Sequence, residues 1–223
     1  PMRDRPPLAA RFWYDAVYWS AFTAFTFGFS LRRSGWGNVP RRGPVLLVAN
    51  HQSMFDPVLV GLASRRYLSF LARNNLFTQP GLGPLIRSLN AIPIDRGMGK
   101  DGIQAVLDSL AAGRAVLMFP EGERTHTGAV QPLQAGVSLL IKRVTCPIVP
   151  VGIAGCFAAW SRFHTWPHPA PLLLPPKPST IALAVGAPID PARYAGKHRD
   201  WVVENLHREL VTQHEAAERL RRK

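Results

Sequence analysis

Acidic residues are scarce in this chain. Fourteen Asp and Glu stand against 27 Lys and Arg, leaving a formal net charge of +13. A surface so short of carboxylates attracts polyanions: nucleic acid, an anionic membrane or a phosphorylated substrate. Cysteine is scarcer still, with only Cys146 and Cys156. Two cysteines cannot build a disulfide framework, and their spacing is not that of a metal knuckle, so they read as small buried hydrophobes in a reducing compartment. Charged residues make up only 18% of the chain and hydrophobic ones 47%, a balance that excludes disorder and supplies a core. There is no internal repeat. No tract interleaves basic with aromatic residues in the manner of single-strand nucleic-acid binders, so a nucleic-acid partner is not expected despite the charge. The length of 223 residues suits one α/β domain and would cramp two.

The aromatic residues are concentrated near the start. Residues 12–31 read FWYDAVYWSAFTAFTFGFSL, with Asp15 the only charge inside, Arg11 before and Arg32 and Arg33 after. A membrane-spanning helix needs about 20 apolar residues, so this run sits at the limit. Tyr18, Phe22, Phe25 and Phe29 recur at helical spacing on one face, and Trp and Tyr crowd the first half like an interfacial belt. Three readings fit: a helix lying in, or barely spanning, a membrane; a helix packed on the domain's own core; or a cleaved signal, with Arg3 and Arg5 as its basic region and Gly28-Phe29-Ser30 as a weak cleavage site. The first is preferred. It divides the chain into a membrane-associated aromatic helix and basic linker over residues 1–38 and a folded domain over residues 39–223. Arg32, Arg33, Arg41 and Arg42 are then expected against anionic headgroups.

Beyond the linker, short apolar runs bounded by Gly and Pro predict strands at 45–49, 67–72, 91–94, 115–119, 148–153 and 180–185. Helices are predicted between them, over 56–65, 81–89, 101–112 and 135–144, and from Asp200 onward. Asp56 and Pro57 read as N-cap and first helical residue. Residues 164–178, dense in proline, predict an irregular surface excursion. Strand alternating with helix gives an α/β fold, a mainly parallel sheet covered by helices.

Ligands of such sheets bind beyond the carboxyl ends of the strands. The residues there are Asn50-His51-Gln52-Ser53-Met54-Phe55-Asp56 after the first strand, Arg73 after the second, Asp95-Arg96-Gly97 after the third and Pro120-Glu121-Gly122-Glu123-Arg124-Thr125 after the fourth. His51 and Asp56 bracket a strand-to-helix turn. A carboxylate so placed accepts the Nδ1–H of the imidazole and leaves Nε2 as a base, unless Asp56 merely caps its helix. Other patterns carry less. Residues 97–102 match GxGxxG, with Glu121 where a ribose-binding acid falls, but Asp95 and Arg96 separate the first glycine from its strand. His164 and His168 lie among prolines with no carboxylate nearby, and His207 and His214 read as solvated residues of the last helix. No metal site is expected.

Four segments resemble the motif blocks of the glycerolipid acyltransferases. NHQSMFD resembles their NHxxxxD motif, IPIDR their second, arginine-bearing block, FPEGERT their FPEGTRS block and IVPVGI their fourth. The blocks stand in family order, and the resemblance covers roughly residues 10–190. Glu123 departs from the usual threonine, and Gln134 stands where lysine often precedes the next glycine. The resemblance implies an O-acyltransferase moving a fatty acyl group from acyl-CoA or acyl carrier protein to the hydroxyl of a lysophospholipid. The implied acceptor is 1-acylglycerol-3-phosphate and the product phosphatidic acid, made at the cytoplasmic face of the inner or plasma membrane with no cofactor. The alternatives are a phospholipid–lysophospholipid transacylase and, outside enzymes, a basic nucleic-acid-binding module. His51 is implied as general base with Asp56 holding its ring. Arg96 and Arg124, assisted by Arg73, are implied as the phosphate clamp. Glu121 and Gly122 are implied among the substrate-binding residues, Glu121 ordering the Gly122 turn and pairing with an arginine. Asn50, Ser53 and Thr125 are implied as supporting residues, Ser53 bonding the turn rather than acting as nucleophile. Oxyanion donors are expected among the N–H groups where the Asp56 helix starts.

Overall fold

The structure, a computed structural model, describes residues 8–94 and 99–223. Its centre is β2 (Val45–Ala49), which is buried along its whole length. Val45, Leu47 and Ala49 pack into one apolar cluster, and Leu46 and Val48 into another. Successive strand side chains point to opposite faces, so a strand apolar at every position has to be covered on both sides. The same holds for β5 (Ala115–Met118) and β6 (Ile148–Ala154). With β1 (Arg32–Ser34), β3 (Leu68–Arg73), β4 (Ala91–Ile94) and β7 (Ala182–Val185), they form a seven-stranded sheet in the order β1-β7-β6-β2-β5-β3-β4. The β6–β7 pair is antiparallel and the other pairs are parallel.

One face is covered by α1 (Leu8–Phe29), α2 (Asp56–Ser64) and α7 (Cys156–Trp160), and the other by α5 (Lys100–Ala111), α6 (Val137–Ile141) and α8 (Arg199–Arg221). α8 lies directly on β6. A Cβ at Gly152 would come within 2.0 Å of the main chain of Gln213, so only glycine permits that approach. The expected helix at 81–89 is preceded by a separate turn, α3 (Asn74–Phe77), and reduces to α4 (Leu82–Ser88). The proline-dense segment forms neither helix nor strand.

Two expectations for the N-terminal part need correction. Among the described residues no helix is long and apolar enough to cross a membrane, which removes the barely spanning reading. The predicted aromatic face of α1 instead meets the core: Phe25 is buried, Tyr18, Phe22 and Phe29 pack beside it, and Phe25 lies edge-on to Phe55 at 4.9 Å. The basic linker, for its part, contributes an edge strand, with Arg32 opposite Ala182. The Arg32 guanidinium donates to the carbonyls of Leu220 and Arg221, 3.1 Å each, at the end of α8, where helix carbonyls lack internal partners. Arg33 donates to the Leu62 carbonyl and sits over the Phe22 ring. Both are therefore bonded within the protein, whereas Arg41 and Arg42 are exposed.

Candidate active site

β2, β5 and β3 are neighbours in the sheet, so their carboxyl ends bring His51, residues 119–124 and Arg73 to one rim. The chain leaves β2 toward β3 on one side and later returns from β5 to β6 on the other. β2 thus lies at the point where strand order reverses, the usual place for a ligand crevice.

The turn after β2 is held by reciprocal bonds. Asn50 donates from Nδ2 to the Ile153 carbonyl (3.0 Å) and accepts from the Ile153 N–H (2.7 Å). The His51 N–H donates to Glu121 Oε1 at 2.8 Å, and its carbonyl accepts from the Thr125 N–H at 2.7 Å. The second oxygen of Glu121 accepts from the Gln131 N–H at 2.9 Å. Glu121 therefore clamps two loops through their main chains, and the arginine expected as its partner is not found among the described residues. The residue is 2% exposed, and burial pushes its pKa up to about 7 against the lowering effect of the Gln131 and His51 N–H groups, with the Asp56 charge raising it further.

This shift has a definite sign. Between about 4.5 and about 7 the native state holds a proton that the unfolded state releases, so Glu121 makes stability fall as pH rises across that window. Each pKa unit corresponds to about 1.4 kcal/mol, an upper bound for the slope. Glu121→Gln removes the titration. Its melting temperature relative to the wild type is expected to rise between pH 5 and pH 8, and thermal melts at the two pH values check it. A difference that stays constant would contradict the assignment.

Asp56 is fully buried. Its Oδ2 accepts from His51 Nδ1 (2.8 Å), the Gln52 N–H (2.6 Å) and the Ser53 N–H (2.7 Å), while Oδ1 has no hydrogen-bond partner among the described residues. The expected N-cap role is not the one observed. Phe55 occupies the cap position with no side-chain cap bond, and Asp56 is the first residue of α2. A carboxylate only accepts, so Nδ1 carries the ring proton and Nε2 is the basic nitrogen. The His51 ring stacks on Phe119 with centroids 4.0 Å apart.

The remaining turn residues are committed locally. The Ser53 hydroxyl donates to the Trp160 carbonyl at 2.7 Å and accepts from the Phe55 N–H. Thr125 Oγ1 donates to the Ala129 carbonyl and accepts from Thr127 and Gly128. The N–H groups of Gln52, Ser53, Phe55 and Asp56 are all bonded inside the turn, so these four do not supply the expected oxyanion donors. Gly122 has φ of +79°, and a Cβ there would lie 3.0 Å from Gln134 Cγ. Gln134 in turn donates to the Glu121 carbonyl at 3.1 Å.

A cavity of about 470 Å³ opens beside the turn. His51, Arg73, Glu123, Arg124 and Arg162 line it together with apolar side chains from α1, β3 and α4, among them Val17, Leu71 and Ile86. The Arg124 guanidinium is held below its ordinary pKa, chiefly by burial and then by the charges of Arg162 and Arg73, with Asp56 acting the other way.

Two residues here escaped the sequence reading. Arg162, 38 positions beyond Arg124, donates from Nη1 to the Arg124 carbonyl (3.2 Å) and to Glu123 Oε2 (3.0 Å), and meets His126 Nε2 at 2.8 Å. No local signal marks it, because the contact exists only once α7 has returned over β2. Cys156, expected only to be buried, lies against Asp56. Burial foremost, and then the Asp56 charge, push its thiol well above the ordinary value. Arg96, Gly97 and Met98 lie outside the described residues. His214 is not simply solvated, since its Nδ1 is 2.9 Å from the Ile153 carbonyl.

The model of a family described as acyltransferase matches residues 31–154. A chloroplastic 1-acyl-sn-glycerol-3-phosphate acyltransferase of Brassica napus, BAT2, is 24% identical over 146 residues, covering 64% of this chain and 42% of that protein. A lyso-ornithine lipid O-acyltransferase of Pseudomonas aeruginosa is 30% identical over 156 residues, covering 69% and 57%. The chain thus spans under half of the first and just over half of the second. The crystal structure of the 1-acyl-sn-glycerophosphate acyltransferase PlsC of Thermotoga maritima superposes with a TM-score of 0.78 at 23% identity, covering all of this chain and 85% of that one. The two share a fold.

Proposed function

Because the chain belongs to the acyltransferase family, we propose that it moves a fatty acyl group from a thioester, acyl-CoA or acyl carrier protein, to the hydroxyl of a lysophospholipid. The proposed acceptor is 1-acylglycerol-3-phosphate and the product phosphatidic acid. The observation that carries this reading is the 2.8 Å contact of His51 Nδ1 with buried Asp56 Oδ2 on the wall of a cavity that also presents Arg73 and Arg124.

The roles follow from the atoms. Nε2 of His51 takes the proton of the acceptor hydroxyl as its oxygen attacks the thioester carbonyl, and the imidazolium returns that proton to the departing thiolate. Asp56 holds the ring and stabilises the imidazolium. Arg124 and Arg73 meet the phosphate, with Arg96 completing the clamp in this reading. Glu121, Gly122, Asn50, Ser53 and Thr125 hold the turns in place. No enzyme nucleophile takes part.

Incubation with labelled acyl-CoA or acyl carrier protein and a panel of lysolipids tests the proposal. Transfer to 1-acylglycerol-3-phosphate supports it, and acyl exchange between phospholipids without a thioester would favour the transacylase. One observation favours a second acceptor class. Glu123 places a carboxylate among the arginines of the cavity, which suits a headgroup bearing both an ammonium and an acid, so a lyso-amino-acid lipid belongs in the panel. Arg124→Ala is expected to raise the Michaelis constant for the phosphorylated acceptor about tenfold or more, as loss of a charge-assisted bond implies, and to change that for the thioester little. Steady-state kinetics with each substrate varied checks it, and equal loss toward an acceptor without phosphate would oppose the clamp.

The outer face of α1 supports membrane association. Phe12, Trp19 and Phe27 are 75%, 57% and 61% exposed and fall on one stripe of the helix. In this reading α1 lies in the interface at the cytoplasmic face of the membrane by its outer stripe, while its inner face and β1 remain part of the catalytic domain.

A further inference from the structure

Between α7 and β7 the chain makes its proline-dense excursion, and its apolar side chains face outward. Phe163 is 63% exposed, Trp166 77%, Leu173 92% and Leu174 49%. Single exposed hydrophobes are ordinary, but a cluster of them marks an interaction surface. Residues 161–178 contain no Asp or Glu, while Arg162, His164, His168 and Lys177 lie among them.

The segment is tied down at several points. The His168 N–H donates to the Ala159 carbonyl at 2.7 Å and the Trp160 indole to the His164 carbonyl at 3.1 Å. Ala170 and Leu172 donate their N–H groups to the Gly28 and Phe27 carbonyls, at 2.9 and 3.1 Å, and the Ser30 hydroxyl donates to the Ala170 carbonyl at 2.7 Å. These bonds set Leu172–Leu174 beside exposed Phe27 at the end of α1. The other end of the segment begins at Arg162, on the cavity wall. The exposed apolar side chains are therefore carried on one segment whose ends lie at the cavity wall and beside Phe27 of α1. The segment's prolines restrict φ, so holding it outward costs little further chain entropy.

We propose that residues 163–174 are a second bilayer-insertion element, seated in an anionic lipid surface alongside the outer face of α1. Leu173, Leu174 and Trp166 enter the boundary between headgroups and acyl chains, and Lys177 meets lipid phosphates. The inference rests on the reading of the acceptor as a bilayer lipid. Two anchors flanking the cavity hold it against the bilayer, so the acceptor enters without passing through bulk water.

The test uses the full chain and vesicles of phosphatidylglycerol and phosphatidylcholine. Leu173→Asp and Trp166→Asp are each expected to weaken vesicle binding about tenfold. Transfer to a vesicle-resident acceptor should fall in parallel, and transfer to a short-chain acceptor below its micelle concentration should not change. Wild-type vesicle binding by the folded variants would overturn the proposal. So would sedimentation equilibrium showing a wild-type dimer that the variants disperse, which would assign the segment to a second copy. Leu173→Cys carrying a polarity-sensitive dye gives a reading free of any folding defect, because Cys146 and Cys156 are buried: vesicles should shift its emission to the blue, and an unshifted spectrum would refute insertion. Absence of transfer even to the soluble acceptor would refute the proposed chemistry alone, leaving the binding results to judge the segment.

Discussion

Replacing His51 with alanine is expected to lower acyl transfer by on the order of 10²–10⁴-fold, the usual worth of a positioned general base, while leaving the fold intact. Most of the structural work of this residue passes through its main chain, and Asp56 keeps the Gln52 and Ser53 N–H donors when the ring is lost. The N–H that reaches Glu121 and the carbonyl that receives Thr125 survive in alanine. What disappears is the ring between Asp56 and Phe119. Turnover with a labelled thioester, beside a circular dichroism melt, checks both halves. A folded variant retaining more than about a tenth of wild-type turnover is incompatible with general-base catalysis.

Asp56→Asn is expected to damage activity on a similar scale, about 10²-fold or more, and to cost stability as well. One carboxylate oxygen receives three donors in a site closed to water. A neutral amide keeps weaker bonds with its oxygen there, or opposes three donors with its NH2. In neither orientation does it stabilise an imidazolium. Weakening such charge-assisted bonds costs about 1–3 kcal/mol, whereas loss of a helix cap alone costs about 1 kcal/mol. Denaturant melts measure the stability, and activity corrected for the folded fraction measures the chemistry. If activity falls only in step with that fraction, Asp56 is a scaffold residue and nothing more.

The parts of this site that were legible in the sequence are those encoded locally. β2 is apolar at every position between Gly43-Pro44 and Asn50, which admits little other than a doubly covered strand. His51 and Asp56 are five positions apart across a single turn, so their meeting needs no tertiary knowledge. Arg162 and Cys156 were illegible for the opposite reason: their neighbours, Glu123, Arg124 and His126 for the one and Asp56 for the other, come from distant parts of the chain. Glu121 was legible only as a carboxylate on an arginine-bearing rim; that the fold turns it inward onto two main-chain N–H groups depends on loops distant in the chain. Arg32-Arg33-Ser34 has no strand character, and its pairing is imposed by the open edge of β7. In α1 the aromatic periodicity was plain, but both faces carry aromatic residues. Composition therefore could not say that Tyr18, Phe22, Phe25 and Phe29 face protein while Phe12, Trp19 and Phe27 face outward.

The pairing of Arg32 with Ala182 sets an order of events during synthesis. β1 has no strand to join until the chain has been made past Ala182, and such distant pairings are the slow ones in folding. Arg32 likewise has no carbonyls to cap until Leu220 and Arg221 exist. Throughout that interval Ile181, Leu183 and Val185, which complete the cluster that receives Phe25, are missing. The inner aromatic face of α1 is then covered only in part, by Phe55 and α2. A nascent chain thus carries α1 with its outer stripe exposed and its inner face incompletely covered until the last strand is made, and in that interval a bilayer or chaperone competes with the unfinished sheet for it.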